Sequence, residues 1–85
     1  MRIPIKMTKL GYDMTHGRID AWLKDVGDPV TRGESIAAIE TDKVVVDMEA
    51  TVSGWLAEIV HEAGTDTELE VGEIIGYIDD QAPPQ

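Results

Sequence analysis

One primary amine stands out in the segment Glu40-Thr41-Asp42-Lys43-Val44, midway along a chain of 85 residues. Apolar runs flank it, so 36–40 and 44–48 read as two strands with Thr41-Asp42-Lys43 as the connecting turn. Aspartate favours turns because its side chain bonds its own backbone. A lysine at a hairpin apex projects into solvent. Two readings stay open on these residues alone. The segment is an ordinary turn, or it displays Lys43 for covalent modification, with the sheet fixing the amine where an enzyme can reach it.

Other chemistries find little support. The chain has no G-x-S-x-G, G-x-x-x-x-G-K-[ST], G-x-G-x-x-G or H-E-x-x-H motif. His16 and His61 are 45 positions apart without a partner motif and read as exposed loop or strand-end residues, so no metal is expected. Carboxylate pairs such as Asp79-Asp80 or Glu40 with Asp42 could do acid–base work. With 17 acidic against seven basic residues, solvated surface charge explains them better. The absence of cysteine excludes disulfides, zinc–thiolate sites and thiol nucleophiles. No catalytic residue is assigned.

Composition bounds the elements that must position Lys43. A chain this short builds one core. With no Phe, two Trp and two Tyr, that core falls to Ile, Val, Leu, Met and Ala, with Met7, Met14 and Met48 as fillers. A net charge of −10 is wrong for a phosphate backbone, so nucleic acid is excluded as a partner. There is no apolar run near the length a transmembrane helix needs and no signal-peptide pattern. The isolated domain is expected to be a monomer, and Met1 directly before the first strand suggests a bacterial cytoplasmic protein.

An internal repeat organises the chain. Gly17 and Gly27 align with Gly54 and Gly64 at an offset of 37, and Gly33-Glu34 with Gly72-Glu73 at an offset of 39. Ile36 and Ile39 then fall onto Ile75 and Ile78. Two similar halves, residues 17–40 and 54–79, predict a pseudo-symmetric domain. Secondary structure is ambiguous at one place in each half. Ile19, Trp22, Leu23 and Val26, and again Leu56, Ile59, Val60 and Ala63, follow the i, i+3, i+4, i+7 template of a helix. Against that, the segments are short, 2–7 alternates, 44–46 is a valine run, and turn signals recur every eight to ten residues. The prediction is all-β, residues 1–80 forming the domain and 81–85 starting a Pro/Ala-rich linker.

Met7-Thr8-Lys9-Leu10-Gly11, Met14-Thr15-His16-Gly17, Trp22-Leu23, Gly27-Asp28, Gly33-Glu34 and Glu40-Thr41-Asp42-Lys43-Val44 together resemble the lipoyl domain of 2-oxo acid dehydrogenase acyltransferases. The resemblance runs from about residue 2 to 80 and includes Gly54, Gly64 and Val71-Gly72. It implies a flattened β-barrel of two four-stranded antiparallel sheets related by a pseudo-twofold axis. It also implies that Lys43 carries lipoate through an amide bond, placed there by a lipoate ligase or lipoyl transferase. The implied partners are a thiamine-diphosphate-dependent 2-oxo acid dehydrogenase, the acyltransferase core of the parent chain, and a dihydrolipoamide dehydrogenase. The domain itself is then a non-catalytic swinging-arm carrier. By the same resemblance, Leu10, Gly11, Tyr12, Asp13 and Met14 of the first loop, with Glu40 and Thr41, contribute to partner recognition.

Biotin carriers share the implied fold but have Met on both sides of their lysine, where this chain has Asp42 and Val44. The alternatives are therefore a biotinyl domain of a carboxylase and an unmodified acidic β-module that binds other proteins. Lys9-Leu10-Gly11 with Met14-Thr15 and Gly17 leans toward a pyruvate or acetoin complex.

Overall fold

The computed structural model describes residues 1–9, 15–41, 44–64 and 67–82. Among them the chain forms eight strands and no helix: β1 (Arg2–Lys6), β2 (His16–Trp22), β3 (Pro29–Val30), β4 (Ser35–Glu40), β5 (Val45–Glu49), β6 (Gly54–Ile59), β7 (Leu69–Glu70) and β8 (Ile74–Asp79). They make two four-stranded sheets with the orders β1-β8-β6-β3 and β5-β4-β2-β7. Every pairing is antiparallel. The fold is all-β, as the turn spacing predicted.

Advancing every strand label by four, with wrap-around, turns the first sheet order into the second. The sequence repeat is thus a structural pseudo-twofold, and it extends to single hydrogen bonds. Leu23 N–H donates to Ile36 C=O and Val60 N–H to Ile75 C=O, each at 2.9 Å. Met7 N–H donates to Glu73 C=O at 2.8 Å, matched by Ala50 N–H to Glu34 C=O at 2.9 Å. The turn glycines obey the same relation. Gly33 and Gly72 have φ of +89° and +100°, and Gly27 and Gly64 have +98° and +77°. An L side chain is strained in that left-handed region, which is why glycine recurs at these offsets.

The helix-like spacing has a β explanation. In β2 the register shifts between Ile19 and Ala21, so Asp20 is an extra residue opposite β4. Ala57 is the extra residue in β6, where the register shifts between Leu56 and Glu58. A bulge inserts one residue and changes which later side chains face inward. Ile19 and Leu56 are therefore buried, and the next apolar residues to meet the core are Trp22 and Ile59, three positions on rather than two. Leu23, Val26 and Val60, which would complete a helical stripe, are exposed. A second matched pair of bulges falls at Ile36 and Ile75, both fully buried.

Both sheets close on one core: Ile5, Met7, Ile19, Val30, Ile36, Ala37, Ile39, Met48, Ala50, Leu56, Leu69, Ile75 and Ile78. Among the described residues no polar or charged side chain is buried. Trp22 packs against the cluster while its indole Nε1–H donates to His61 C=O at 2.8 Å, satisfying the one polar group that a half-buried Trp must place. The core holds no aromatic residue in its fully buried set, as the lack of Phe predicted.

Two variants test this packing. A Cβ on Gly54 would run into the Asp79 backbone carbonyl, while one on Gly33 meets no atom within 4 Å and suffers only from its φ. Gly33→Ala and Gly72→Ala should each lower unfolding free energy by about 1–2 kcal/mol, and Gly54→Ala by more, because backbone must move. Urea unfolding followed by Trp fluorescence gives the order; equal losses at all three positions would refute it.

Glu34 supplies a pH test. Its carboxylate accepts the Thr31 N–H at 3.1 Å and the Lys24 ammonium at 3.1 Å, which hold its carboxyl below the usual carboxylate range, the Thr31 N–H contributing most. A folded pKa below the unfolded one gives stability that is present above the unfolded value and lost as pH falls through the folded value. The wild-type advantage over Glu34→Gln should therefore exist at neutral pH and shrink on acidification. Urea midpoints across the carboxylate range measure it, and an advantage that grows with acid would be the wrong sign.

Candidate functional site

β4 and β5 pair as a hairpin, with Ile39 opposite Val46 and Glu40 opposite Val45. The strands lie within one residue of the predicted 36–40 and 44–48. The link between them is residues 41–44, closed by its two ends. Thr41 N–H donates to Val44 C=O at 2.8 Å, and the Thr41 hydroxyl donates to the same carbonyl at 2.9 Å. Val44 N–H in turn donates to the Thr41 hydroxyl oxygen at 3.2 Å. Asp42 and Lys43, the two residues on which the modification reading rests, lie outside the described residues, and covalent connectivity alone puts them in this closed link. Leu10, Gly11, Tyr12, Asp13 and Met14 likewise lie outside the described residues.

The flanks are described. Val44 and Val45 are more than half exposed, at 57% and 53%, an unusual condition for two adjacent valines. Glu40 closes β4 with Arg18 of β2 directly across from it, and the Arg18 Nη2–H donates to Glu40 Oε1 at 2.6 Å. That pair joins the two central strands of one sheet on the approach to the link. Sequence reasoning found Glu40 and missed Arg18. The register that brings them together, 22 positions apart, is visible only once β2 and β4 are paired.

His16 and His61 do not form a joint site. His16 begins β2, with its Nε2 3.7 Å from Glu68 Oε2, and His61 follows β6. Among the described residues no group of three or more His, Asp or Glu could hold a metal ion. Asp79 and Asp80 are occupied by the Met1 ammonium, at 3.4 and 2.7 Å, rather than set up as an acid–base pair. Met1 and Asp80 also occupy the place, in the pseudo-twofold, that Val44 and Thr41 occupy at the hairpin: Asp80 N–H donates to Met1 C=O at 3.2 Å, as Thr41 N–H does to Val44 C=O. One half of the domain joins its strands through the lysine-bearing link; the other brings the ends of the described chain together there.

Residues 3–78 match the family model described as "Biotin-requiring enzyme", the biotin/lipoyl family. The chain belongs to the biotin/lipoyl family. Among its relatives, the dihydrolipoyllysine-residue acetyltransferase component 2 of the mitochondrial pyruvate dehydrogenase complex of Arabidopsis thaliana is 48% identical over 71 residues, covering 84% of this chain and 13% of that protein. The acetyltransferase component of the acetoin cleaving system of Bacillus subtilis is 41% identical over 80 residues, covering 94% of this chain and 20% of that protein. The chain thus spans a fifth or less of these relatives. A solved structure, the lipoyl domain of the 2-oxoglutarate dehydrogenase complex from Azotobacter vinelandii, superimposes with a TM-score of 0.71 at 35% identity, covering 93% of this chain and 98% of that one. The two-sheet arrangement is therefore that of a lipoyl domain.

The Thr41 closure is testable. Thr41→Val removes the hydroxyl that both accepts from and donates to Val44 while leaving the Thr41 N–H bond in place. Amide exchange at Val44 should accelerate about fivefold or more, the effect of losing a hydrogen bond of about 1 kcal/mol. Exchange at Ile39 and Ile78 should not change. A uniform acceleration would mean the hydroxyl supports the whole fold instead of the link.

Proposed function

We propose that this chain is a lipoyl carrier: Lys43 bears lipoate through an amide bond and carries acyl groups and reducing equivalents between the active sites of a 2-oxo acid dehydrogenase complex. The observation that carries the reading is the Glu40–Val45 end of the hairpin, whose 41–44 link is closed on itself by Thr41 and Val44 in a chain of the biotin/lipoyl family. A short link held at both ends suits a lysine that must be presented at one place, and it suits the group: an amide needs only an accessible primary amine. Lys24 is tied to Glu34 at 3.1 Å. When bound, a lipoyl group supplies a disulfide that takes up two electrons together with an acyl group.

The protein's own residues supply position. Paired strands fix the base of the arm, and the exposed Val44 and Val45 offer an apolar contact beside it. Tethering converts successive encounters with the partner enzymes into intramolecular ones at raised effective concentration. The partners in this proposal are a lipoate ligase or lipoyl transferase, a thiamine-diphosphate-dependent 2-oxo acid dehydrogenase, an acyltransferase core and a dihydrolipoamide dehydrogenase, in a bacterial cytoplasm. Residues 1–80 form the carrier as a monomer, and 81–85 begin the linker to the acyltransferase. Lys9-Leu10-Gly11 and Met14-Thr15 favour a pyruvate or acetoin parent.

Biotin is the rival cofactor, and the residues flanking Lys43 separate the two. With ATP and lipoate, a lipoate ligase should modify the wild-type chain, while a biotin protein ligase with ATP and biotin should not. Asp42→Met with Val44→Met should raise biotinylation and lower lipoylation, because each ligase reads the shape and charge beside the lysine. Once lipoylated, the domain should be reductively acylated faster by pyruvate or acetoin dehydrogenases than by a 2-oxoglutarate dehydrogenase. Efficient biotinylation of the unmutated chain would instead assign it to a carboxylase.

A further inference from the structure

The two halves of this domain match strand for strand and share several turn hydrogen bonds, so places where they differ are informative. Offsets of 37 and 39 carry Arg18 and Glu40 onto Trp55 and Asp79, which are likewise register partners, on β6 and β8. Trp55 cannot pair ionically with Asp79. The Arg18–Glu40 pair therefore exists only in the half that bears the lysine link. Two rows along that sheet the halves differ again: Ala21 and Ala38 stand where the other half has Glu58 and Tyr77. Stability does not explain the pair, since its side chains are 41% and 39% exposed and solvent-exposed ion pairs contribute little. Yet at 2.6 Å it is a short, charge-assisted contact, and Glu40 ends the strand three positions before Lys43.

We infer that Arg18 is a positioning residue for the modification of Lys43. It holds the Glu40 carboxylate in one orientation beside the link and offsets its charge, so that the modifying enzyme meets a fixed, partly neutralised Glu40. A loose carboxylate in a chain of net charge −10 would present many orientations and one more uncompensated negative charge. Arg18 acts through Glu40 and has no role in the amide-forming step, which joins the lipoate carboxyl to the lysine amine with ATP as the driving reagent. The inference rests on the lipoyl reading proposed above.

The test is the steady-state kinetics of a lipoate ligase with ATP and lipoate, the domain being the varied substrate. Arg18→Gln should raise KM for the domain about five- to tenfold with kcat nearly unchanged, the cost of one charge-assisted hydrogen bond. Its urea midpoint should stay near that of the wild type. Arg18→Lys should recover part of the loss. Because Arg18 works through Glu40, Arg18→Gln combined with Glu40→Gln should be no worse than Glu40→Gln alone, a non-additivity that independent roles would not produce. An unchanged KM for Arg18→Gln, additive losses in the double variant, or a fall in kcat alone would overturn the inference while leaving the lipoyl reading intact. No adduct on the unmutated chain would overturn both.

Discussion

Crossed hydrogen bonds between the two halves hold this domain together. Gly27 N–H donates to Leu56 C=O at 2.7 Å, and Gly64 N–H donates to Ile19 C=O at 3.0 Å. Each half thus satisfies the turn backbone of the other at the strand just before its bulge. Each of these turns would lose that hydrogen bond, a contribution of about 1 kcal/mol, without the strand of the other half. Most strand pairs obey the same logic. β1 pairs with β8, β4 with β5, β3 with β6 and β2 with β7, all across the repeat boundary.

This interlock explains how so small a chain fixes the two ends of the 41–44 link. Among the described residues β5 is an edge strand paired to β4, and the 41–44 link joins it to β4. β4 is anchored on its other side by β2, and its side chains Ile36, Ala37 and Ile39 are fully buried. Position is transmitted from the core through β4 to Glu40 and Thr41, and the closure of 41 on 44 completes it. The edges themselves are guarded against unwanted pairing, by Pro4 on β1 and by Asp47 and Glu49 on β5.

Much of this was legible in the sequence because glycine positions are dictated by backbone geometry. The offsets of Gly27, Gly33, Gly64 and Gly72 reported the pseudo-twofold directly, since each adopts a left-handed φ in the fold. Periodicity was less readable. The spacing from Ile19 to Trp22 and from Leu56 to Ile59 imitates a helix turn because a bulged residue lies between them, and nothing local distinguishes the two causes. Arg18 was invisible for a different reason: it joins Glu40 only through strand register, which is a tertiary property. The hairpin read around Glu40-Thr41-Asp42-Lys43-Val44 is seen in its described parts, the pairing of β4 with β5 and the closure of Thr41 on Val44. Its chemical meaning came from the resemblance and the relatives, and Asp42, Lys43 and the 10–14 loop lie outside the described residues.

Peptide mapping by mass spectrometry after incubation with lipoate ligase, ATP and lipoate addresses the central claim most directly. The chain offers four lysines, Lys6, Lys9, Lys24 and Lys43, with the same side-chain amine. Selection among them must then come from position. The predicted result is a single lipoyl group, on the peptide containing Lys43, and none on Lys43→Arg. An adduct on Lys6, Lys9 or Lys24, or a domain that takes no lipoate, would contradict the assignment.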